Sequence, residues 1–301
     1  MSAHAAWGRG LLPILAAIMA VGAAFTPATA ASSAELTASA HGGGAPRIID
    51  LGTLPQGVSG SEAVGINNHG TVAGWSLTKS GAMHPFTWRN GRMRDLGTLG
   101  GPNSYAAAIN DSGVVVGYSD TKSGAMHAFT WRNGRMRDLG SFSGGWSIAW
   151  GINNHGDVVG EASGGSVLDD PVLWQNGRIH DLGVPRGFHA GMATAINDRR
   201  QVTGTLDGDR AFVWQSGSFK PLTVPGSTTS QGTAINDRGQ VIVVSVDLNT
   251  GYVWQPGALT QLPGLIGHLA HPTAINDRSQ IAGSAATVSD NTYPHAVLWT
   301  R

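Results

Sequence analysis

One stretch decides the fold: Tyr105-Ala106-Ala107-Ala108-Ile109-Asn110, Asp111-Ser112-Gly113, Val114-Val115-Val116-Gly117-Tyr118, then His127-Ala128-Phe129-Thr130-Trp131, Asn133-Gly134 and Arg135-Met136-Arg137-Asp138-Leu139-Gly140. Tyr105 to Asn110 reads as strand A. Asp111-Ser112-Gly113 is a turn, because Asn, Asp and Gly tolerate left-handed backbone. Val114 to Tyr118 reads as strand B. His127 to Trp131 reads as strand C, with Phe129 and Trp131 on one face by the two-residue period. Asn133-Gly134 is a strong hairpin signal, and Arg135 to Leu139 follows as strand D. Four antiparallel strands in about 40 residues is the size of one β-propeller blade.

The unit recurs. Its Asn falls at Asn67, Asn110, Asn153, Asn197, Asn236 and Asn276, and its Trp at Trp88, Trp131, Trp174, Trp214, Trp254 and Trp299. Six copies of one supersecondary unit predict an all-β chain, a six-bladed β-propeller of four-stranded antiparallel blades, with strand A innermost and strand D outermost. No long helical pattern follows the N-terminus, which excludes an α-solenoid, and the spacing is too long for the rungs of a β-helix. The last copy stops at Trp299-Thr300-Arg301, after strand C. Arg47-Ile48-Ile49-Asp50-Leu51-Gly52 is a spare strand D that can complete the last blade and remove an exposed sheet edge.

The ends and the composition set further bounds. Residues 1–30 read as an export signal: Arg9 and no acid in the first ten, an apolar run from Leu11 to Phe25, and an Ala28-Thr29-Ala30 cleavage pattern. The apolar run holds Pro13 and is short for a span of about 20 residues, so a membrane span in the mature protein is not expected. Residues 31–46 read as a flexible leader and 47–301 as the propeller, placed outside the cytoplasm. The chain has no cysteine and a formal net charge of zero. Disulfides are excluded, and a basic nucleic-acid surface is not supported.

The repeat resembles a known family. Met126-His127-Ala128-Phe129-Thr130-Trp131, with Asp138-Leu139-Gly140 downstream and Ala108-Ile109-Asn110 upstream, looks like the bacterial extracellular HAF repeat, over essentially Arg47 to Arg301. The His-Ala-Phe triplet is intact once; it becomes His84-Pro85-Phe86 and His295-Ala296-Val297, and Asp170, Arg210 and Thr250 take the His position elsewhere. The resemblance implies a secreted repeat protein and carries over no catalytic residue.

Short, uniform A–B and C–D turns contrast with longer, variable D–A and B–C loops, which emerge on one face of such a blade. Function sits in loops on a rigid scaffold, so a site is expected on that face, near the channel. Five residues before each motif Asn stand Glu62, Tyr105, Ile148, Met192, Gln231 and His271, at the loop-side end of strand A. Trp146, Glu161, Arg186, Phe188, His189, Asp207, Asp209, Asp247, His268 and Asp290 lie in or beside the loops. Of these, Trp146, Glu161, Phe188, His189, His268 and His271 are the candidate ligand contacts. Sugar stacking is also open to Trp75 and Trp150, although burial is the first reading of each.

The repeated Asn and Trp residues read as turn formers and blade packing. His84, His127 and His295 open strand C and are expected to bond a neighbouring turn. The blades hold these three imidazoles apart, and no Asp-x-Asp-x-Asp-Gly loop occurs, so neither metal nor cofactor is expected. Residues 78–97 match 121–140 at all but one position (Pro85 against Ala128), an internal duplication that suits a multivalent binder slightly better than an enzyme. The leading expectation is a secreted, non-catalytic propeller binding a glycan, a cell-envelope polymer or a small molecule. The alternative is a propeller lyase, hydrolase or cyclase that uses Glu62, Tyr105, His189 and His271, with Glu62 and Glu161 as a possible acid/base pair.

Overall fold

In the computed structural model, the described residues are 49–55, 57, 60–164, 169–265, 270–286 and 294–300. The chain divides into two units, Met1–Asp50 and Leu51–Arg301, and the first is described only at residues 49 and 50. The second is a six-bladed β-propeller.

Blade 1 comprises β1 (Ser61–Ile66), β2 (Val72–Leu77), β3 (Met83–Arg89) and β4 (Arg92–Asp95). Blade 2 comprises β5 (Gly100–Ile109), β6 (Val115–Thr121), β7 (Met126–Arg132) and β8 (Arg135–Asp138). Blade 3 comprises β9 (Ser147–Ile152), β10 (Val158–Ala162), β11 (Asp170–Gln175) and β12 (Arg178–Asp181). Blade 4 comprises β13 (Gly191–Ile196), β14 (Val202–Leu206), β15 (Arg210–Gln215) and β16 (Ser218–Pro221). Blade 5 comprises β17 (Ser230–Ile235), β18 (Val241–Ser245), β19 (Thr250–Gln255) and β20 (Ala258–Gln261), and blade 6 comprises β21 (Ala270–Ile275), β22 (Ile281–Ala286) and β23 (Pro294–Trp299).

Each sheet is an antiparallel meander in chain order, as predicted. The described part of blade 6 has three strands. The fourth, expected from Arg47 to Gly52, falls partly outside the described residues, and its described part, Ile49 to Gly52, carries no strand. No helix among the described residues is long and apolar enough to cross a membrane.

The strand A ends of all six blades line one cavity of about 300 Å³, which puts strand A innermost and closes the ring around it. The core is divided among the blade interfaces. Trp131 and Phe129 of blade 2 bury against Ala73 and Leu96 of blade 1, and Trp174 and Val158 of blade 3 against Val116 and Ala128 of blade 2. The preceding blade also sets a cation over the strand C indole: Arg94 lies 5.1 Å from the Trp131 ring centre and Lys220 lies 4.9 Å from that of Trp254.

Strand A carries a bulge three residues before the motif Asn, and five blades set the Gly of Val-x-Gly against it, whereas in blade 5 Val243 pairs with Gly232. The bulge presses strand A onto its neighbour, so that a Cβ at Gly117 would overlap the carbonyl of Tyr105, and one at Gly160 that of Ile148. The Asn-Gly hairpins take the left-handed turn the sequence predicts, with φ of 50° at Asn133 and 88° at Gly134.

Candidate functional site

The turn-side end of the channel is built by the repeated Asn, which does more than form turns. Asn110 Oδ1 accepts from the Val114 amide at 2.9 Å, and its Nδ2 donates 3.0 Å to the carbonyl of Asn153 in the next blade. The same interblade bond runs from Asn67 to Asn110, Asn153 to Asn197, Asn197 to Asn236 and Asn236 to Asn276. A second tier runs beside it, in which the amide of Asn68 donates to Asp111, that of Asp111 to Asn154, that of Asn154 to Asp198, that of Asp198 to Asp237 and that of Asp237 to Asp277. This end is a belt of satisfied polar groups that fastens the blades.

The loop-side end carries the variable residues. Ile148 is 1% exposed and takes part in the core, contrary to the expectation that this register reaches the channel mouth; Glu62, Tyr105, Met192, Gln231 and His271 are half-buried. Tyr105 stands across the strand pair from Tyr118, the rings stacked with centres 4.8 Å apart. Trp75 of blade 1 approaches Tyr105 at 6.5 Å, and Tyr118 meets the edge of Trp150 of blade 3 at 6.2 Å. Trp150 is the bulge residue of β9, and its Nε1 donates 3.0 Å to Glu161 Oε1 on β10. The result is a run, Trp75–Tyr105–Tyr118–Trp150–Glu161, across three blades, with all four rings half-buried.

Electrostatics follow from this burial. Glu161 is 4% exposed, and burial pushes its carboxyl up to about 7 against the lowering bond from Trp150; the nearby charge of Asp169 adds to the rise. Tyr105 and Tyr118 are raised by burial first, then by the charge of Asp120 and, for Tyr118, of Tyr105 itself, so both phenols are neutral donors at physiological pH.

The remaining candidates are dispersed. His189 projects into solvent, with Nδ1 3.5 Å from Asp207, and the His189 and Ala190 amides both donate 2.9 Å to Asp207 Oδ1. Burial alone would raise the Asp207 carboxyl, but these bonds leave it lowered. Asp247 clasps the blade 5 loops in a similar way through Ser227 and Thr228. The half-buried His271 is lowered by burial, and its Nε2 has no partner among the described residues. Phe188 packs onto the core of blades 3 and 4, and the Trp146 amide donates to Ser163 Oγ. His268 and Asp290 lie outside the described residues. Among the described residues no three His, Asp or Glu side chains are placed to hold a metal ion; Glu62 stands on β1, His189 before β13 and His271 on β21. Glu62 and Glu161 lie on blades 1 and 3.

The strand C histidines correct one expectation. His84 Nδ1 lies 2.9 Å from Asp95, and His127 Nδ1 lies 2.8 Å from Asp138, so the partner is an acid on strand D and not a turn. The aspartates also accept the amides of Gly97 and Gly140. This ties His-Ala-Phe to Asp-Leu-Gly, eleven residues apart from His to Asp. Tyr118 was not singled out from sequence; its opposition to Tyr105 across the A–B hairpin was the available signal.

No family model matches the chain, and no curated protein matches it. Solved structures do. A streptogramin B lyase structure aligns with a TM-score of 0.56 at 14% identity, covering 83% of this chain and 86% of that one. An acylaminoacyl peptidase from Pyrococcus horikoshii aligns with a TM-score of 0.51 at 11% identity, covering 80% of this chain and 44% of that one. Virginiamycin B lyase from Staphylococcus aureus aligns at 0.49 and 13% identity, covering 83% and 87%. At such identities the likeness is one of fold.

Proposed function

We propose that this chain is an exported propeller of the HAF-repeat kind that binds a ring-bearing ligand, foremost a glycan or cell-envelope polymer, on its loop face without catalysing its conversion. The observation that carries this reading is the aromatic run from Trp75 to Trp150. Half-buried rings held by neighbouring blades offer the apolar surface that their own stacking leaves uncovered, with the two phenol hydroxyls as neutral donors beside them. Stacking of this kind needs no converging acid and base. The zero net charge favours a neutral or weakly charged partner over nucleic acid.

The test is a titration of the protein with soluble glycans and cell-wall fragments, followed by tryptophan fluorescence. Trp150→Ala and Tyr105→Ala should each weaken binding by about tenfold. Affinity unchanged in both variants would remove the reading.

A second reading has one observation in its favour. Glu161, buried beside Trp150 and raised to about 7, can hold or release a proton near neutral pH. A propeller lyase or hydrolase would use it as an acid/base group, and the streptogramin B lyase likeness lends that reading its fold. Turnover of any fragment in the panel, lost in Glu161→Gln with binding retained, would favour it over the binder.

A further inference from the structure

A cleft of about 590 Å³ opens on the loop face of blade 1, away from the aromatic run. It lies within the range of about 300–1,000 Å³ usual for small-molecule sites. Leu54 and Pro102 give it an apolar wall, and Lys79, His84, Asp95 and Thr98 give it polar groups. The duplicated block places Lys122, His127 and Asp138 at the same positions in blade 2. There the backbone of β5 lies over the loop: a Cβ at Gly100 would sit 3.3 Å from Lys122 Cβ, and one at Gly101 would meet Asp120.

The charges in the cleft are unevenly compensated. Asp95 is met by His84 Nδ1 at 2.9 Å and by the Gly97 amide at 2.8 Å. Lys79 is exposed and takes part in none of the ion pairs among the described residues. Asp95 is therefore the hydrogen-bonded charge of the cleft, and Lys79 is the one left to meet a ligand. Asp95 keeps 44% of its side chain exposed, so its remaining lone pairs and the Thr98 hydroxyl can meet ligand hydroxyls. An apolar wall, hydroxyl acceptors and one free ammonium match the C–H face, the hydroxyls and the carboxylate of an acidic sugar.

We propose that this cleft binds a pyranose carrying one carboxylate, a uronate, with the carboxylate at Lys79 and the ring hydroxyls at Asp95 and Thr98. It rests on different residues from the aromatic run and stands whether or not that run binds a glycan.

The experiment compares galacturonate with its neutral counterpart galactose by saturation-transfer NMR titration of wild type, Lys79→Gln and Trp150→Ala. Galacturonate should bind about fivefold more tightly than galactose, the scale of one partly exposed ion pair. Lys79→Gln, at an exposed position, should abolish that preference, and Trp150→Ala should leave it intact. Equal affinities in wild type, no binding of either sugar, or a preference that survives Lys79→Gln would each overturn the proposal. A preference lost in Trp150→Ala alone would also overturn it, by assigning the acidic sugar to the aromatic run. Retention of glycan affinity in both Trp150→Ala and Tyr105→Ala refutes the aromatic-run reading and leaves this one standing.

Discussion

Trp150 Nε1 donates a 3.0 Å hydrogen bond to the buried carboxyl of Glu161, and that one bond links the aromatic run to an acid whose carboxyl burial raises to about 7. The sign of the resulting pH dependence is set. The folded-state value, about 7, lies above the ordinary 4.5, so the folded state keeps its proton where the unfolded state has lost it. The contribution of Glu161 is fully present below about pH 4.5 and is lost as pH rises to about 7, by about 3 kcal/mol in all. Glu161→Gln keeps an acceptor for Trp150 and removes the titration. Urea denaturation should show wild type weakening from pH 5 to pH 8 relative to the variant, and parallel curves would refute it.

Asp170 occupies the strand C position that His127 holds in blade 2, and it faces Asp181 where His127 faces Asp138. Burial raises its carboxyl first, and the charges of Asp181 and Asp169 raise it further. Asp170→His replaces a like-charge pair with the bonded pair seen in blades 1 and 2. The variant should gain up to about 1 kcal/mol at pH 7, read as a higher thermal midpoint. A lower midpoint would show that the His–Asp pair is not transferable between blades.

Asn110 is 5% exposed and closes both its own turn and the junction with blade 3. Asn110→Ala leaves the Val114 amide without the side-chain acceptor it has here and the Asn153 carbonyl without this interblade donor. It should cost about 2–3 kcal/mol. Asn110→Asp keeps the turn acceptor and loses the interblade donor, so a smaller loss than for Ala would show that both halves contribute.

The blades were legible in sequence because strand period, Asn-Gly hairpins and the recurring Asn and Trp all report local geometry. The aromatic run was legible in part. Tyr105, Trp75, Trp150 and Glu161 are each conspicuous in the sequence, but their association depends on which blade faces lie together, and residues about 40 positions apart carry no local signal of that. Ile148 and Glu161 oppose each other on β9 and β10, and burial there depends on the blades packed on either side. The interblade Asn bonds were hidden for the same reason: each side chain looks like an ordinary turn former until its neighbour 39 to 44 residues away is in place.

Arg200 shows how one copy can depart from the repeat and add a contact. Its φ is +59°, in the turn position held by Gly70, Gly113, Gly156 and Gly239 in four other blades. Its Nε meets Asp157 of blade 3 at 2.7 Å, and that carboxylate also accepts from Gln175 at 2.9 Å and Asn153 at 3.2 Å. Burial alone would raise Asp157, but these bonds hold it below its ordinary value, so the network stabilises above about pH 4 and fades as pH falls. Arg200→Gly removes the cation and relieves the backbone, whereas Arg200→Ala removes the cation and keeps the strain. Arg200 is 57% exposed, so the ion pair is discounted to about 1–2 kcal/mol. Chemical denaturation at pH 7 should place Ala below wild type by about 2 kcal/mol and Gly about 1 kcal/mol above Ala. If Gly were more stable than wild type, the strain would outweigh the bridge and the interblade role of Arg200 would fall.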